Sequence, residues 1–164
     1  MKKLIYIALA IAAELLATIN NASAQNPFST GNVQAQAVIG IPASASGMCQ
    51  IPPVGISLEW GVLDMDNAGV IGVGGSFEYA KYDFAEMSIE GIVNYHYFFS
   101  PSFEVHGRLG IGYCQAGQSY YRVSVVARSI FAGVTYFLRD NIGITAEVGA
   151  SMLTSFRAGV TFKF

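Results

Sequence analysis

The sequence predicts an all-β chain, an eight-stranded antiparallel up-and-down transmembrane β-barrel preceded by a cleavable signal peptide. Three observations predict it. The 164 residues are 52% hydrophobic and only 12% charged, whereas soluble domains are about 25% charged. After the N-terminal segment, no apolar run reaches the ~20 residues that a transmembrane helix needs. Apolar and polar residues instead alternate in twos, which is the period of a β-strand.

The first 24 residues have the layout of a secretory signal peptide. Two lysines precede an apolar run over 4–13, and the small residues Ala22 and Ala24 mark the expected cleavage site. We therefore expect a signal peptide over 1–24 and a single barrel domain over 25–164. The alternative interpretation of the N-terminal segment is a buried helix.

The first four strands are predicted where the alternation is bounded by turn residues. In the second of them, Val54, Leu58 and Trp60 share one face, and Gly55 and Glu59 share the other. Successive side chains of a strand point to opposite faces, so this segment has one apolar and one polar surface. The predicted ranges are 31–41, 54–63, 69–80 and 87–99.

The last four strands follow the same rule. In the final one, Phe156, Val160 and Phe164 share one face, and Arg157 and Lys163 share the other. The alternation is interrupted near 123–129, so the register of that strand is the least certain. The predicted ranges are 103–114, 125–138, 142–152 and 155–164.

The joins between these strands differ in length. Short polar joins are expected at 64–67, 100–102 and 139–141, with a very tight turn near Leu153 and Thr154. The remaining joins, at 41–53, 81–86 and 115–124, are longer. Longer and shorter joins alternate in an antiparallel meander when one end faces an outside surface and the other a cramped compartment. No second domain or linker is visible.

The two faces of the strands indicate which side meets lipid. The polar face is sparse, mainly Gly, Ser and Thr with single charges, which is unlike the wetted face of a soluble sandwich. The apolar face carries large rings near the strand ends, where membrane–water interfaces favour them. These rings are Trp60, Phe77, Tyr79, Tyr95, Tyr97, Tyr113 and Tyr136. An apolar outside and a polar inside, as in membrane barrels, accounts for both faces.

The inward face is predicted to hold a polar network. An eight-stranded barrel is just wide enough for side chains to fill its interior. Unpaired charges there would be costly, so we expect linked ion pairs and hydrogen bonds that form a plug rather than an open pore. The predicted members are Glu59, Glu78, Glu90, His96, Glu104, His106, Arg108, Glu147, Arg157 and Lys163.

Four stretches carry a resemblance to a known family. They are LEWGVLDMDNAGVIGVGG (58–75), IEGIVNYHYFF (89–99), GRLGIGYC (107–114) and FAGVTYFLRDNIGITAEVGASMLTSFRAGVTFKF (131–164). The mature chain resembles the OmpX-like and OmpA-transmembrane-like eight-stranded outer-membrane β-barrels, as found in Bacteroidetes. The resemblance implies residence in the bacterial outer membrane and insertion by periplasmic chaperones and the outer-membrane assembly machinery. The terminal GVTFKF looks like the signal that this machinery recognises, with Val160, Phe162 and Phe164 as its apolar positions.

The resemblance implies no single activity, because members of the family range from structural barrels to adhesins. Adhesive members project long extracellular hairpins, whereas the joins predicted here are short. Some small outer-membrane barrels modify lipid A with Ser/His/acid sites, so the two histidines, His96 and His106, are candidates for chemistry. Both fall on the inward face of neighbouring strands, near Glu90 and Glu104.

A nucleophilic site needs a Ser within reach of its base, and a metal site needs three or more ligands. No Ser lies beside either histidine on the outward face. We therefore expect no catalytic residue, no metal and no cofactor, and we assign both histidines to hydrogen bonding in the lumen. Catalysis or metal binding by them is the alternative.

The two cysteines, Cys49 and Cys114, are both predicted on the extracellular side. A disulfide between them can persist in that oxidising setting and would tie the first long loop across the barrel mouth. Two separate thiols are the alternative.

These observations favour a non-enzymatic outer-membrane barrel with a structural or surface-interaction role. The alternatives are a narrow channel for water, ions or very small solutes, a lipid-modifying membrane enzyme, and a secreted soluble ligand-binding barrel of the lipocalin kind. Outer-membrane lipid and lipopolysaccharide are the expected partners, with Arg122 and Arg128 near the third outer loop as candidates to meet phosphates. The chain has a net charge of −2 and no basic cluster, so we expect no binding to nucleic acid. We expect a monomer with an unidentified extracellular partner.

Overall fold

The computed structural model describes residues 28–43, 49–65, 68–118 and 121–164, with side chains throughout except at 116–118 and 121–123. The predicted signal peptide, with Ala22 and Ala24, lies outside the described residues. No helix in the described ranges is long and apolar enough to cross a membrane. The strands are β1 (Val33–Pro42), β2 (Ile51–Asp64), β3 (Val70–Lys81), β4 (Ala85–Ser100), β5 (Phe103–Gln118), β6 (Tyr121–Arg139), β7 (Ile142–Ala150) and β8 (Thr154–Lys163).

These strands form a closed barrel. Each strand pairs antiparallel with the strands before and after it, and β8 returns to pair with β1. At the seam, the amide of Val33 donates to the carbonyl of Phe164 at 3.2 Å, and the amide of Phe164 donates back at 2.8 Å. Closure leaves no free edge along the wall, as a spanning sheet requires in hydrocarbon. The predicted eight-stranded up-and-down barrel is confirmed.

The barrel has two ends, which we name by their contents. The terminal end holds the start of β1, the end of β8, and the joins β2–β3, β4–β5 and β6–β7. The loop end holds the joins β1–β2, β3–β4, β5–β6 and β7–β8. The prediction that all loop-end joins except the last are longer is wrong, because the β3–β4 join spans only residues 82–84.

The hairpin of β5 and β6 accounts for the largest difference from the prediction. A loop was expected over 115–124, but the two strands stay paired from Gln115 with Ser124 to Gln118 with Tyr121. Backbone hydrogen bonds hold a ladder together whether or not the side chains alternate in polarity. The polar tip of this hairpin therefore continues the sheet where the apolar pattern had ended.

The outer surface of the barrel is apolar. Ile56, Ile111 and Val126 are 63%, 66% and 63% exposed, and of the predicted outer rings Trp60, Phe77, Tyr95, Tyr113 and Tyr136 are exposed as well. The buried residues of the wall, in contrast, are largely polar or charged. A lipocalin-like soluble barrel has its apolar face inward, so this arrangement contradicts that alternative.

Candidate functional site

All ten residues of the predicted polar network lie on the inner face of the barrel and are at most 6% exposed. The reason is simple parity. Side chains of a strand alternate between inside and outside, and antiparallel pairing keeps inward residues of neighbouring strands opposite each other. The lumen is thus lined by five glutamates, two histidines, two arginines and a lysine. The contacts among them divide into groups along the barrel.

The first group is a carboxylate–arginine–carboxylate bridge around Arg157. Arg157 lies opposite Glu147 in the β7–β8 ladder, and its Nε donates to Glu147 Oε2. Its Nη1 donates across the lumen to Glu78 Oε1 on β3. Ser151 donates to the other oxygen of Glu78 at 2.8 Å. The guanidinium also lies 3.9 Å from the centre of the Phe131 ring, so one cation neutralises two buried carboxylates while resting on an aromatic face.

Arg108 is held mainly by neutral groups. It lies opposite Asn94 in the β4–β5 ladder, and its Nε donates to Asn94 Oδ1 at 3.1 Å. Its Nη2 crosses to Gln36 on β1 at 2.9 Å and to Ser57 on β2 at 3.3 Å. The carboxylate of Glu147 is 3.8 Å from the same nitrogen. Arg108 therefore joins β5 to the strands on the far side of the lumen.

The third group is a pair of histidines among three carboxylates. His96 and His106 are opposite each other in the β4–β5 ladder, with ring centres 5.9 Å apart. His96 bonds through Nδ1 to Glu104 at 2.7 Å and through Nε2 to Glu59 at 3.3 Å. His106 bonds through Nε2 to Glu147 at 2.9 Å. Both ring nitrogens of His96 therefore face a carboxylate, so the ring is fixed between Glu104 and Glu59.

The two ring nitrogens of His106 differ. Nδ1 lies 3.3 Å from Glu104 Oε1, within ion-pair distance, but the angle does not make a hydrogen bond. Glu104 therefore receives its hydrogen bond from His96 and only an electrostatic contact from His106. Through Glu147, His106 is connected to Arg157, so the histidine group and the arginine bridge form one continuous network.

Glu90 is bonded differently from the other carboxylates. The hydroxyls of Ser88 and Ser129 donate to its two oxygens, the first at 3.2 Å. A Cβ placed on Gly110 would overlap this carboxylate and the Ser129 hydroxyl. The same holds at Gly133, where a Cβ would overlap the His106 ring and come within 2.6 Å of Glu147. The glycines of the inner face thus leave the space that the bonded side chains occupy.

Lys163 does not join the carboxylates as predicted. Its Nζ lies 3.6 Å from the centre of the Phe137 ring and 6.0 Å from that of Phe98. Among the described residues, no carboxylate oxygen is within 4.0 Å of it. An aromatic face can hold a desolvated ammonium, so the terminal end places this cation on rings instead of acids.

The prediction missed these inward aromatic residues. Phe131 and Phe137 have the same parity as the inward Gly133 and Thr135, and this parity was the signal that could have placed them inside. Phe28 is fully buried against His96, yet it precedes the first predicted strand. No pattern in the sequence indicates its position.

At the loop end an apolar cluster replaces the charges. It consists of Ala80, Tyr82, Cys114, Ala127 and Leu153, with Val125 packed against it. Burial raises the pKa of the Tyr82 phenol, and the charges of Cys49 and Glu86 raise it further. The uncertain register of the β6 segment is thereby resolved, because Ala127 and Ser129 point inward and Arg128 outward.

The cysteines do not form the predicted disulfide in this structure. Cys49 is an exposed free thiol, and Cys114 is a free thiol buried in the loop-end cluster. Cys114 was expected at the extracellular mouth, but its position in the strand points it inward, where it packs as a small apolar side chain. The structure therefore has the two separate thiols that were the alternative.

The histidines and the serine hydroxyls of the lumen bond to different carboxylates. His96 bonds to Glu104 and Glu59 and His106 to Glu147, whereas the lumen hydroxyls of Ser88 and Ser129 bond to Glu90. Within the described ranges, no group of three or more His, Cys, Asp or Glu side chains is placed to hold a metal ion.

Three solved barrels are similar to this chain. The N-terminal β-barrel domain of Pseudomonas aeruginosa OprF aligns with a TM-score of 0.58 and 17% identity over 82% of this chain and 98% of that one. Neisserial surface protein A aligns at 0.53 and 16% over 81% and 96%. The Yersinia pestis outer membrane protein Ail aligns at 0.50 and 18% over 81% and 98%.

A de novo designed transmembrane β-barrel is as similar as the OprF domain, with a TM-score of 0.58 and 16% identity over 83% of this chain and 98% of the design. At these identities the likeness shows the fold. No protein-family model matches the sequence. No curated protein matches it either.

Proposed function

We propose that the chain is an integral outer-membrane β-barrel protein with a lumen plugged by its own side chains, serving envelope structure or surface interaction. One observation carries the proposal: the buried arginines of the inner face bond across the barrel, Arg157 to Glu78 and Arg108 to Gln36 and Ser57.

Residence in a membrane is supported by the outer surface. Large apolar side chains cover it, and rings such as Trp60 and Tyr136 lie exposed on it, as in aromatic girdles. The similar natural barrels include a protein named as an outer membrane protein. We further propose that the barrel is of the type found in Bacteroidetes, as the sequence suggests.

Closure of the lumen is supported by the reach of the network. Arg157 joins β8 to β7 and β3, Arg108 joins β5 to β4, β1 and β2, and Ser129 joins β6 to β4 through Glu90. Every strand therefore contributes to bonds that cross or line the lumen. A water-filled pore would solvate these groups, whereas here they bond to each other in an interior only as wide as its side chains.

The test is single-channel conductance of the refolded barrel in a planar bilayer. We expect no openings from a sample whose folding is shown by faster gel migration before boiling than after. Stable openings that change when Glu78→Gln or Arg157→Met is introduced would overturn the plug and establish the narrow channel. The matched control is Arg128→Met, because Arg128 is exposed on the outer side and should leave the trace unchanged.

The proposed partners follow from the same location. Outer-membrane lipid would contact the apolar wall, and the exposed Arg128 near the loop end could pair with lipopolysaccharide phosphate through its guanidinium. The assembly machinery would recognise the terminal strand with Val160, Phe162 and Phe164, and the barrel would function as a monomer. Loss of insertion on Phe164→Ser in cells, with refolding in detergent retained, would support that recognition.

A further inference from the structure

The segment before β1 turns back into the terminal end of the barrel. The amide of Gly31 donates to the carbonyl of Gly61 at 2.9 Å, and the amide of Gly61 donates to Asn32 at 3.0 Å. Gly31 has a φ of 90°, a conformation that glycine adopts without strain. The turn reverses the chain, so that Phe28 lies inside the lumen and is completely buried.

A notch in the barrel wall receives this segment. Gly61 on β2 and Gly72 on β3 are opposite each other in the ladder, and both are on the inner face. A Cβ on Gly72 would come within 3.2 Å of the Phe28 ring, and a Cβ on Gly61 would overlap the Ser29 carbonyl. Two side chains are missing from the wall at the place where Phe28 and Ser29 lie against it.

The ring of Phe28 covers the histidine–carboxylate group. Its centre is 4.9 Å from that of His96, with the two planes inclined by 56°. The point where a Gly72 Cβ would stand is 3.0 Å from Glu59 Oε2, so the ring and this carboxylate share one corner of the lumen. An ion pair kept from water is stronger than a solvated one, because the local dielectric constant is lower.

We propose that Phe28 is a stopper that seals the terminal end of the lumen, held in the glycine notch of Gly61 and Gly72. The inference rests on the proposed function in one respect, that the lumen is closed by its own side chains. The stopper is a segment of this chain, not a strand of the barrel. It excludes water from His96 and Glu59, and the bonded network closes the lumen beyond them.

The experiment follows the imidazole protons of the two histidines, which are the only two in the chain. In a full-length barrel with ¹⁵N-labelled histidine in detergent micelles, we expect slow exchange of the His96 ring protons with water. Phe28→Ala should speed that exchange by about tenfold or more, as local opening of a protected site does. Among the described residues the ring contact of Phe28 is with His96 and that of His106 is also with His96, so His106 should change little and is an internal control.

Two further variants separate the stopper from a general loss of packing. Gly72→Val should displace the ring and expose His96 as Phe28→Ala does. Gly75→Val on the same strand is the matched control, because its Cβ points outward and meets only Glu90 O at 3.6 Å. Should Phe28→Ala fail to fold, Gly72→Val still tests the notch, and Phe28→Leu should retain the protection of His96.

The outcomes also separate this inference from the proposed function. If His96 stays equally protected in folded Phe28→Ala and Gly72→Val, the stopper is wrong and the network alone excludes water. If the wild-type barrel conducts while Phe28→Ala exposes His96, the plug is wrong and the stopper stands as a partial seal. A silent bilayer together with His96 exposed only in the variants upholds both.

Discussion

The two ends of the lumen are closed by different chemistry. At the loop end the closing group is apolar, with Tyr82, Cys114 and Leu153 packed above the Glu78–Arg157 bridge. At the terminal end it is a cation on rings, Lys163 over Phe137, together with Phe28 from outside the strands. The comparison teaches that strand parity decides which side chains of the wall point into the lumen. The residues that close each end come in part from the neighbouring turns and chain termini.

The largest expected effect comes from breaking the bridge that lies below the loop-end cluster. Arg157→Met should lower the free energy of unfolding by about 3–5 kcal/mol, because it leaves Glu78 and Glu147 as buried charges without their shared cation. Urea unfolding in detergent, followed by tryptophan fluorescence of the single Trp60, measures it. Adding Glu78→Gln should recover part of the loss. A loss of unfolding free energy below about 1 kcal/mol would show that the Glu78–Arg157–Glu147 bridge contributes little to the stability of the barrel.

A middle-sized effect tests the apolar closure of the loop end. Leu153 is 1% exposed within the cluster, so Leu153→Ala should cost about 2–3 kcal/mol by leaving a cavity. Leu138→Ala is the matched control, since Leu138 is 60% exposed on the outer face and its truncation creates no internal cavity. Equal losses in the same unfolding assay would mean that the cluster adds nothing beyond ordinary apolar contact.

The smallest expected effect tests the contact between Lys163 and the Phe137 ring at the terminal end. Lys163→Met keeps the apolar stem and removes the ammonium, and should cost about 1–2 kcal/mol if the ring of Phe137 holds a desolvated cation. A double-mutant cycle with Phe137→Leu measures the coupling between the two side chains. Lys163→Arg should retain most of it. No coupling in the cycle would place Lys163 in the lumen for its size alone.

Much of the barrel could be predicted from the sequence, since a period of two repeated along the chain specifies strand after strand. The inward position of Glu59, Arg108 and Arg157 followed directly from parity. The hairpin beyond Gln115 was missed, because its pairing depends on the backbone and leaves no polarity pattern. Parity also places Cys114, which points into the apolar cluster as a free thiol.

The sequence by itself determined the number of strands, their order and the polarity of the two faces, because these depend on local alternation and on turn residues. Only the tertiary structure decided which inward side chains bond to each other. Arg157 meets Glu78 although they lie 79 positions apart on β8 and β3, because closure of the barrel brings those strands to opposite sides of a narrow lumen. The position of Phe28 in the lumen also depends on tertiary contacts. Its place depends on the notch between Gly61 and Gly72, which exists only once β2 and β3 have paired.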